Sequence, residues 1–132
     1  HLSATIIDTG WGQILDVEKP NKADRSVDEA NLINLFKTAK YTIAGPLQLG
    51  AILAGLGPTS PRLRGIKEFG ENLGIAFQIK DDILDGEAAD SAHNKALEYV
   101  AKAKKMIPKM TEDVKMRKLL EDMTEFMVNR KS

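Results

Sequence analysis

Apolar residues recur along the chain at spacings of three and four, the pattern of helices that bury one face. No segment shows sustained alternation of apolar and polar residues, so the sequence predicts an all-α protein. We interpret residues 1–132 as a single helical domain. The pattern predicts helices over residues 1 to about 18, 26 to about 43, 47–56, 61 to the aspartates at 81–85, about 91–107 and roughly 111–129.

Proline and glycine residues predict where these helices begin and end. Ser60 is a good N-cap and Pro61 suits the first helical position, which marks a strong helix start. Gly45–Pro46 is expected to break or kink the helix before it, and Pro108 is expected to interrupt a later one. Residues 47–56 are apolar on nearly all sides, which is typical of an interior helix. Gly70 and Gly74 lie four residues apart, a spacing that suits close helix packing.

Composition narrows the classes of function. The chain has 132 residues with 19 acidic and 19 basic side chains, and this balance argues against a nucleic-acid binder that depends on a basic field. The absence of cysteine excludes disulfides and thiolate metal sites and fits a reducing compartment, so we expect a cytoplasmic protein. No apolar run reaches the ~20 residues that span a bilayer, and residues 1–8 do not resemble a signal peptide.

The most informative stretch is an acidic run at the end of the predicted helix that begins at residue 61. Asp81, Asp82 and Asp85 place three carboxylates within five residues, after a lead-in of small and apolar residues. Oxygen ligands without cysteine or suitably spaced histidine favour Mg²⁺, which usually completes its coordination with water and substrate phosphate oxygens. The run therefore indicates a phosphate or diphosphate substrate. The alternative is an acidic helix end exposed to solvent.

Several motifs carry a resemblance to a known family. They are Gly12-Gln13-Ile14-Leu15-Asp16, Lys37-Thr38, Gly50-Ala51, Phe69-Gly70, and the run from Leu73 through Phe77-Gln78-Ile79-Lys80-Asp81-Asp82 to Asp85. On these motifs the chain resembles the C-terminal half of a trans-polyprenyl diphosphate synthase. The last run is the most specific, because it joins small residues, Phe-Gln and spaced acids.

The resemblance implies a helical bundle of the isoprenoid synthase type, here apparently partial, and a magnesium-dependent prenyltransferase. Such enzymes condense isopentenyl diphosphate with an allylic diphosphate and release pyrophosphate. By resemblance, Asp81 and Asp82 would hold Mg²⁺ with Asp85 in support. Lys37, Thr38 and Gln78 would be catalytic and would bind substrate together with Phe77. The family also implies a homodimer.

Two features depart from the family pattern. The family has a first Asp-Asp-x-x-Asp motif followed by two arginines, and these 132 residues contain neither. The family also has a longer segment after the second motif, where this chain has only residues 86–90. We therefore expect missing segments before residue 1 and near 86–90, or a partner chain that bears the first motif. The alternatives are a non-catalytic subunit that acts as a helical interaction partner, and a plain helical domain with a solvated acidic run.

Overall fold

The structure is a computed structural model that describes residues 35–86 and 92–129, with residues 36–38 and 128 described by their backbone alone. Five further positions are described singly, namely Ile7, Gly10, Ile14, Val17 and Ile33, and all five are helical. The four of these before residue 18 agree with the helix predicted there. The remainder of that helix and the start of the helix predicted from residue 26 lie outside the described residues.

Every described element is helical, which confirms the all-α prediction. A π-helical segment, Leu35–Ala44, leads into α1, Gly45–Leu53. After a turn, α2 spans Pro61–Leu84, and it is followed by α3 (Ala92–Lys104), α4 (Ile107–Met110) and α5 (Val114–Asn129). The described residues include no strand. None of the described helices is both long and apolar enough to cross a membrane.

Pro46 and Pro108 both lie in the first turn of a helix. At the first predicted break, Ala44 keeps helical dihedral angles (φ −64°, ψ −43°), and Pro46 lies in the first turn of α1. Pro108 likewise lies in the first turn of α4, after a turn at residues 105–106. The chain is therefore interrupted near Pro108 as predicted, at residues 105–106, whereas no break separates the π-helical segment from α1 at Gly45–Pro46. A proline lacks only an N–H that the first turn leaves unbonded, so it fits there without loss.

Helix α2 forms the centre of the core and packs on both sides. One cluster, which we call the lower cluster, joins α2 to α3 and the later helices; its buried members are Ile43, Phe69, Leu73, Ala103, Ile107 and Leu120. The upper cluster lies nearer the end of α2 and contains Ala39, Ile75, Ile79 and Ala96. Because Ala96 belongs with the later part of α2 and Ala103 with the earlier part, α2 and α3 run antiparallel.

Two glycines let α2 approach the π-helical segment at backbone distance. A Cβ atom built on Gly70 would lie 2.5 Å from the Cα of Ala44 and 2.8 Å from its Cβ. A Cβ atom on Gly74 would lie 2.5 Å from the Cβ of Ala39 and closer still to its Cα. No side chain fits at either position unless the helices separate. The predicted close packing at these glycines is thus confirmed.

The winding of the π-helical segment matches this contact. Ala39 and Ala44 are five residues apart, and on an α-helix they would point about 140° away from each other. A π-helix bonds residue i to residue i+5, so positions five apart lie nearly above one another. The two alanines can therefore both face glycines that are four apart on α2, one α-helical turn. Because Ala44 meets Gly70 and Ala39 meets Gly74, the two elements run antiparallel.

Helix α1 does not have the interior position that its composition predicted. Only Gly45 of this helix is buried, and the side chain of Leu53 is 80% exposed. Leu47 packs against the lower cluster, so the helix has one inward face. An all-round apolar pattern indicates that a helix can be covered on every side, but the described elements cover α1 on one side.

We predict that Gly74→Ala lowers the free energy of unfolding by about 2 kcal/mol. The new methyl group must displace the backbone at Ala39, and overpacking of this kind costs about 1–3 kcal/mol even though alanine favours helix by ~1 kcal/mol over glycine. Urea denaturation followed by circular dichroism at 222 nm measures the change. The matched control is Gly50→Ala in α1, where a Cβ meets nothing within 4 Å and helix propensity alone should stabilise the protein. Equal effects of the two changes would refute the packing role.

Candidate functional site

The acidic run lies where α2 passes from the core to the surface. Ile79 is buried in the upper cluster, whereas Asp81 and Asp82 are half-buried and Asp85 is exposed. A helix anchored by buried side chains on several turns holds its last turn in a fixed direction. Asp81 and Asp82 therefore stand on a rigid support at the edge of the packed core.

Asp85 and Gly86 end the helix immediately behind the acids. The N–H of Asp85 donates to the carbonyl oxygen of Asp81 at 2.9 Å, and the N–H of Gly86 donates to Ile83 at 3.2 Å. Gly86 has φ +73°, a left-handed conformation that glycine adopts without steric cost. The adjacent Asp-Gly pair in the sequence is a recognisable signal for this helix end.

Gln78 contacts the acidic run directly. Its Nε2 donates a hydrogen bond to Oδ1 of Asp82 at 3.2 Å, across one helical turn. This bond leaves other acceptor sites on the carboxylate, which has about four in total. Gln78 thus orients the Asp82 carboxylate. Sequence reasoning assigned Gln78 to substrate and missed this link, although the spacing of four residues could have indicated it.

The electrostatic character of this helix end is strongly negative. The last turn of α2 contains Asp81 and Asp82 and no basic residue. Carbonyl groups at a helix C-terminus already carry partial negative charge, so acids placed there add to it, whereas proteins generally favour cations. A bound divalent cation would offset the repulsion between the carboxylates and the helix carbonyl groups. Carboxylate oxygens are also ligands that Mg²⁺ prefers. The donor set therefore fits magnesium.

The remaining candidate residues are positioned by the contact between α2 and the π-helical segment. Continuing the antiparallel register beyond Ala39 brings the backbone of Lys37 and Thr38 alongside the α2 turn that leads to Gln78. Phe77 is half-buried and packs against the lower cluster. Within residues 35–86 and 92–129, no three acidic or histidine side chains converge as a ready-made metal site. Further ligands would have to come from substrate, water or another chain.

Comparison with known proteins identifies the family. The family model described as "Polyprenyl synthetase" matches residues 1–125. The chain therefore belongs to the polyprenyl synthetase family, which confirms the family inferred from its motifs. A curated relative, the geranylgeranyl diphosphate synthase of Cyanophora paradoxa, is 36% identical over 74 residues, which are 56% of this chain and 24% of the relative.

Solved structures share the fold over nearly the whole chain. A decaprenyl diphosphate synthase from Rhodobacter capsulatus has a TM-score of 0.85 at 17% identity, covering 98% of this chain and 58% of that one. A geranylgeranyl pyrophosphate synthase from Corynebacterium glutamicum, complexed with isoprenyl diphosphate and magnesium, has a TM-score of 0.80 at 20% identity and covers 94% and 52%. The chain thus spans little more than half of either neighbour.

We predict that Gln78→Glu destabilises the protein at pH 7 relative to Gln78→Met. The methionine variant loses only the hydrogen bond, whereas the glutamate variant also puts a second carboxylate next to Asp82. We expect the free energy of unfolding of the glutamate variant to be about 1 kcal/mol below that of wild type. Thermal unfolding at pH 7 tests this, and a glutamate variant as stable as the methionine variant would contradict it.

Proposed function

We propose that this chain contributes the second acidic helix of a magnesium-dependent prenyltransferase, which joins isopentenyl diphosphate to an allylic diphosphate and releases pyrophosphate. The observation that carries this proposal is the last turn of α2, where Asp81 and Asp82 stand half-buried together at the end of a helix anchored in the core. Membership of the polyprenyl synthetase family supports the reaction class. The Corynebacterium glutamicum neighbour, complexed with isoprenyl diphosphate and magnesium, supports the ligand class.

Asp81 and Asp82 would hold the magnesium ion, and Asp85 would support it from the exposed helix end. When bound, the ion would neutralise negative charge on the diphosphate, which lowers the cost of its departure. Gln78 would keep the Asp82 carboxylate turned toward the ion through the hydrogen bond from Nε2. The half-buried position of these acids limits their solvation, and charge interactions strengthen where water is scarce.

Lys37 and Thr38 would act from the neighbouring π-helical segment. Breaking the allylic C–O bond leaves negative charge on the diphosphate and positive charge on the carbon chain. Lys37 would contact the diphosphate, and Thr38 together with Gln78 would steady the two separating charges. Phe77, which packs on the lower cluster, would form part of the apolar surface that binds substrate.

The facing motif lies outside these 132 residues. This chain contains one acidic motif of the kind that the family uses in pairs, so we propose that a preceding segment or another chain supplies the facing motif, and that the protein forms a homodimer as the family does. The same observation favours a second candidate function, a non-catalytic subunit that supports a catalytic partner through its helices. The lack of cysteine fits a reducing compartment, and we propose the cytoplasm.

We predict that Asp82→Asn weakens magnesium-dependent binding of an allylic diphosphate analogue by about tenfold or more. The amide keeps the size of the side chain but removes the charge, and charge-assisted contacts contribute about 1.5–3 kcal/mol. Isothermal titration with geranyl S-thiolodiphosphate, in magnesium and then in excess chelator, measures the affinity. Asp85→Asn should have a smaller effect, because Asp85 is exposed.

The matched control for this experiment is Glu98→Gln on α3, which removes an exposed carboxylate away from the acidic run. We expect the control to bind like wild type. Binding that survives both the chelator and Asp82→Asn would contradict the proposed metal site and favour the interpretation of a solvated acidic helix end.

A further inference from the structure

Basic side chains are concentrated in two segments of the chain. Residues 61–67, at the start of α2, contain three basic side chains and no acidic one, and residues 102–117 contain six basic and two acidic ones. The chain as a whole has 19 of each, so acidic side chains predominate in the remainder. Charge is therefore unevenly distributed along a chain whose net charge is zero.

The fold brings these two segments together at one end of the described helices. A Cβ atom built on Gly65 would lie 3.4 Å from the Cβ of Lys109, and Nη2 of Arg62 lies 3.8 Å from Oε1 of Glu112. Helix α4 and the residues that lead into α5 therefore pack beside the first two turns of α2. We call the surface there the basic end. Its exposed members are Arg62, Arg64, Lys105, Lys109 and Lys115.

The acids of the second segment do not neutralise the basic end. Glu112 is paired with Arg62, and Oδ1 of Asp113 caps α5 by accepting a backbone N–H at 2.8 Å. In the part of the chain that the structure describes, no acidic side chain forms an ion pair with Arg64 or Lys109. Lysine and arginine are almost never fully buried without such a partner, so this surface lies at the exterior of the protein.

Two strongly exposed apolar side chains border the basic end. Leu53 is 80% exposed and lies at the end of α1, before the turn that leads into α2. Val114 is 78% exposed and begins α5, two residues after Glu112. Proteins bind the surface of an anionic bilayer with this combination, because the apolar groups enter the boundary between headgroups and acyl chains while the cations attract lipid phosphates. A nucleic acid would attract the cations too, but it offers no apolar phase for the two exposed side chains.

We propose that the basic end docks this protein onto bilayers that contain anionic phospholipid. The acidic run lies at the other end of α2, about 36 Å away at 1.5 Å per residue. An anionic surface attracts the basic end and repels the acidic run, so both effects favour an orientation with Asp81 and Asp82 turned away from the bilayer. The basic end contains none of the residues assigned to magnesium or diphosphate, so lipid binding and diphosphate binding can be measured independently.

Lipid binding of this kind depends on the number of cations and on salt. Each lysine or arginine near an anionic bilayer strengthens binding about fivefold, so the loss of two should weaken it about thirtyfold. The Debye length falls from about 10 Å at 0.1 M ionic strength to about 3 Å at 1 M. High salt should therefore release most of the bound protein.

Co-sedimentation with lipid vesicles tests the proposal with the full 132-residue chain. At low salt, wild type should bind vesicles of phosphatidylcholine with about one third phosphatidylglycerol, and it should not bind vesicles of phosphatidylcholine alone. Arg64→Gln with Lys109→Gln should weaken binding to the anionic vesicles about thirtyfold. A second pair, Lys105→Gln with Lys115→Gln, should weaken it to a similar extent.

The matched control is Lys80→Gln with Lys95→Gln, which removes the same charge near the end of α2 and the start of α3, away from the basic end. The control should bind the anionic vesicles like wild type. Equal binding of wild type to both kinds of vesicle, binding to neither, or an equal loss in the control would each overturn the proposal. Circular dichroism of every variant checks that its helices are intact.

Leu53→Ser separates a bilayer from other polyanions. It should weaken vesicle binding about tenfold, because a leucine side chain gains from leaving water for an apolar phase. Retention on a heparin column should stay unchanged, since the substitution alters no charge. Vesicle binding that Leu53→Ser leaves unaltered, or a short DNA duplex that binds more tightly than the vesicles, would assign the basic end to polyanions in general and overturn the lipid proposal.

Discussion

The absence of side chains at Gly70 and Gly74 is the constraint on which the described structure depends. At these two positions α2 meets the π-helical segment so closely that a methyl group would overlap Ala44 or Ala39. The contact determines the separation of the two elements and their antiparallel register. From that register follow the packing of Ile43 in the lower cluster and of Ala39 in the upper one. The backbone of Lys37 and Thr38 consequently runs beside the α2 turn that follows Gly74.

The π-helical winding is best understood as a response to that contact. Alanines five apart face one side of a π-helix, but they would diverge on an α-helix. The wider turn of the π-helix therefore lets both alanines contact the two glycines. This close contact compensates for the less favourable backbone geometry of a π-helix. Short π-helical insertions occur frequently at functional sites. Here the winding covers the segment that contains Lys37 and Thr38, so packing and the proposed chemistry depend on the same local structure.

The sequence was most informative where local rules act without competition. Ser60–Pro61 marked the start of α2, Gly70 and Gly74 marked its closest contact, and the acidic run marked its end. Other features depend on neighbours that a single sequence does not identify. A proline such as Pro108 can follow the end of one helix or lie at the start of the next. Here the preceding turn lies at residues 105–106, so Pro108 lies at the start of α4. Likewise, the composition of α1 indicated an interior helix, yet the described elements cover one side. The π-helical winding had no local signal, because it arises from the contact with α2.

At the end of α2, the acids that the proposed metal site requires lower the stability of the helix. Acids at a helix C-terminus are unfavourable by a few tenths of a kcal/mol or more each, and here two of them are also half-buried. The helix tolerates them because buried side chains on several earlier turns, among them Leu73 and Ile79, anchor it to both clusters. The same anchoring prevents the acids from separating by local unfolding. A rigid support that holds two carboxylates together binds a divalent cation with a smaller ordering cost than a flexible one. The packing around the glycines therefore maintains the conditions that the proposed metal site requires.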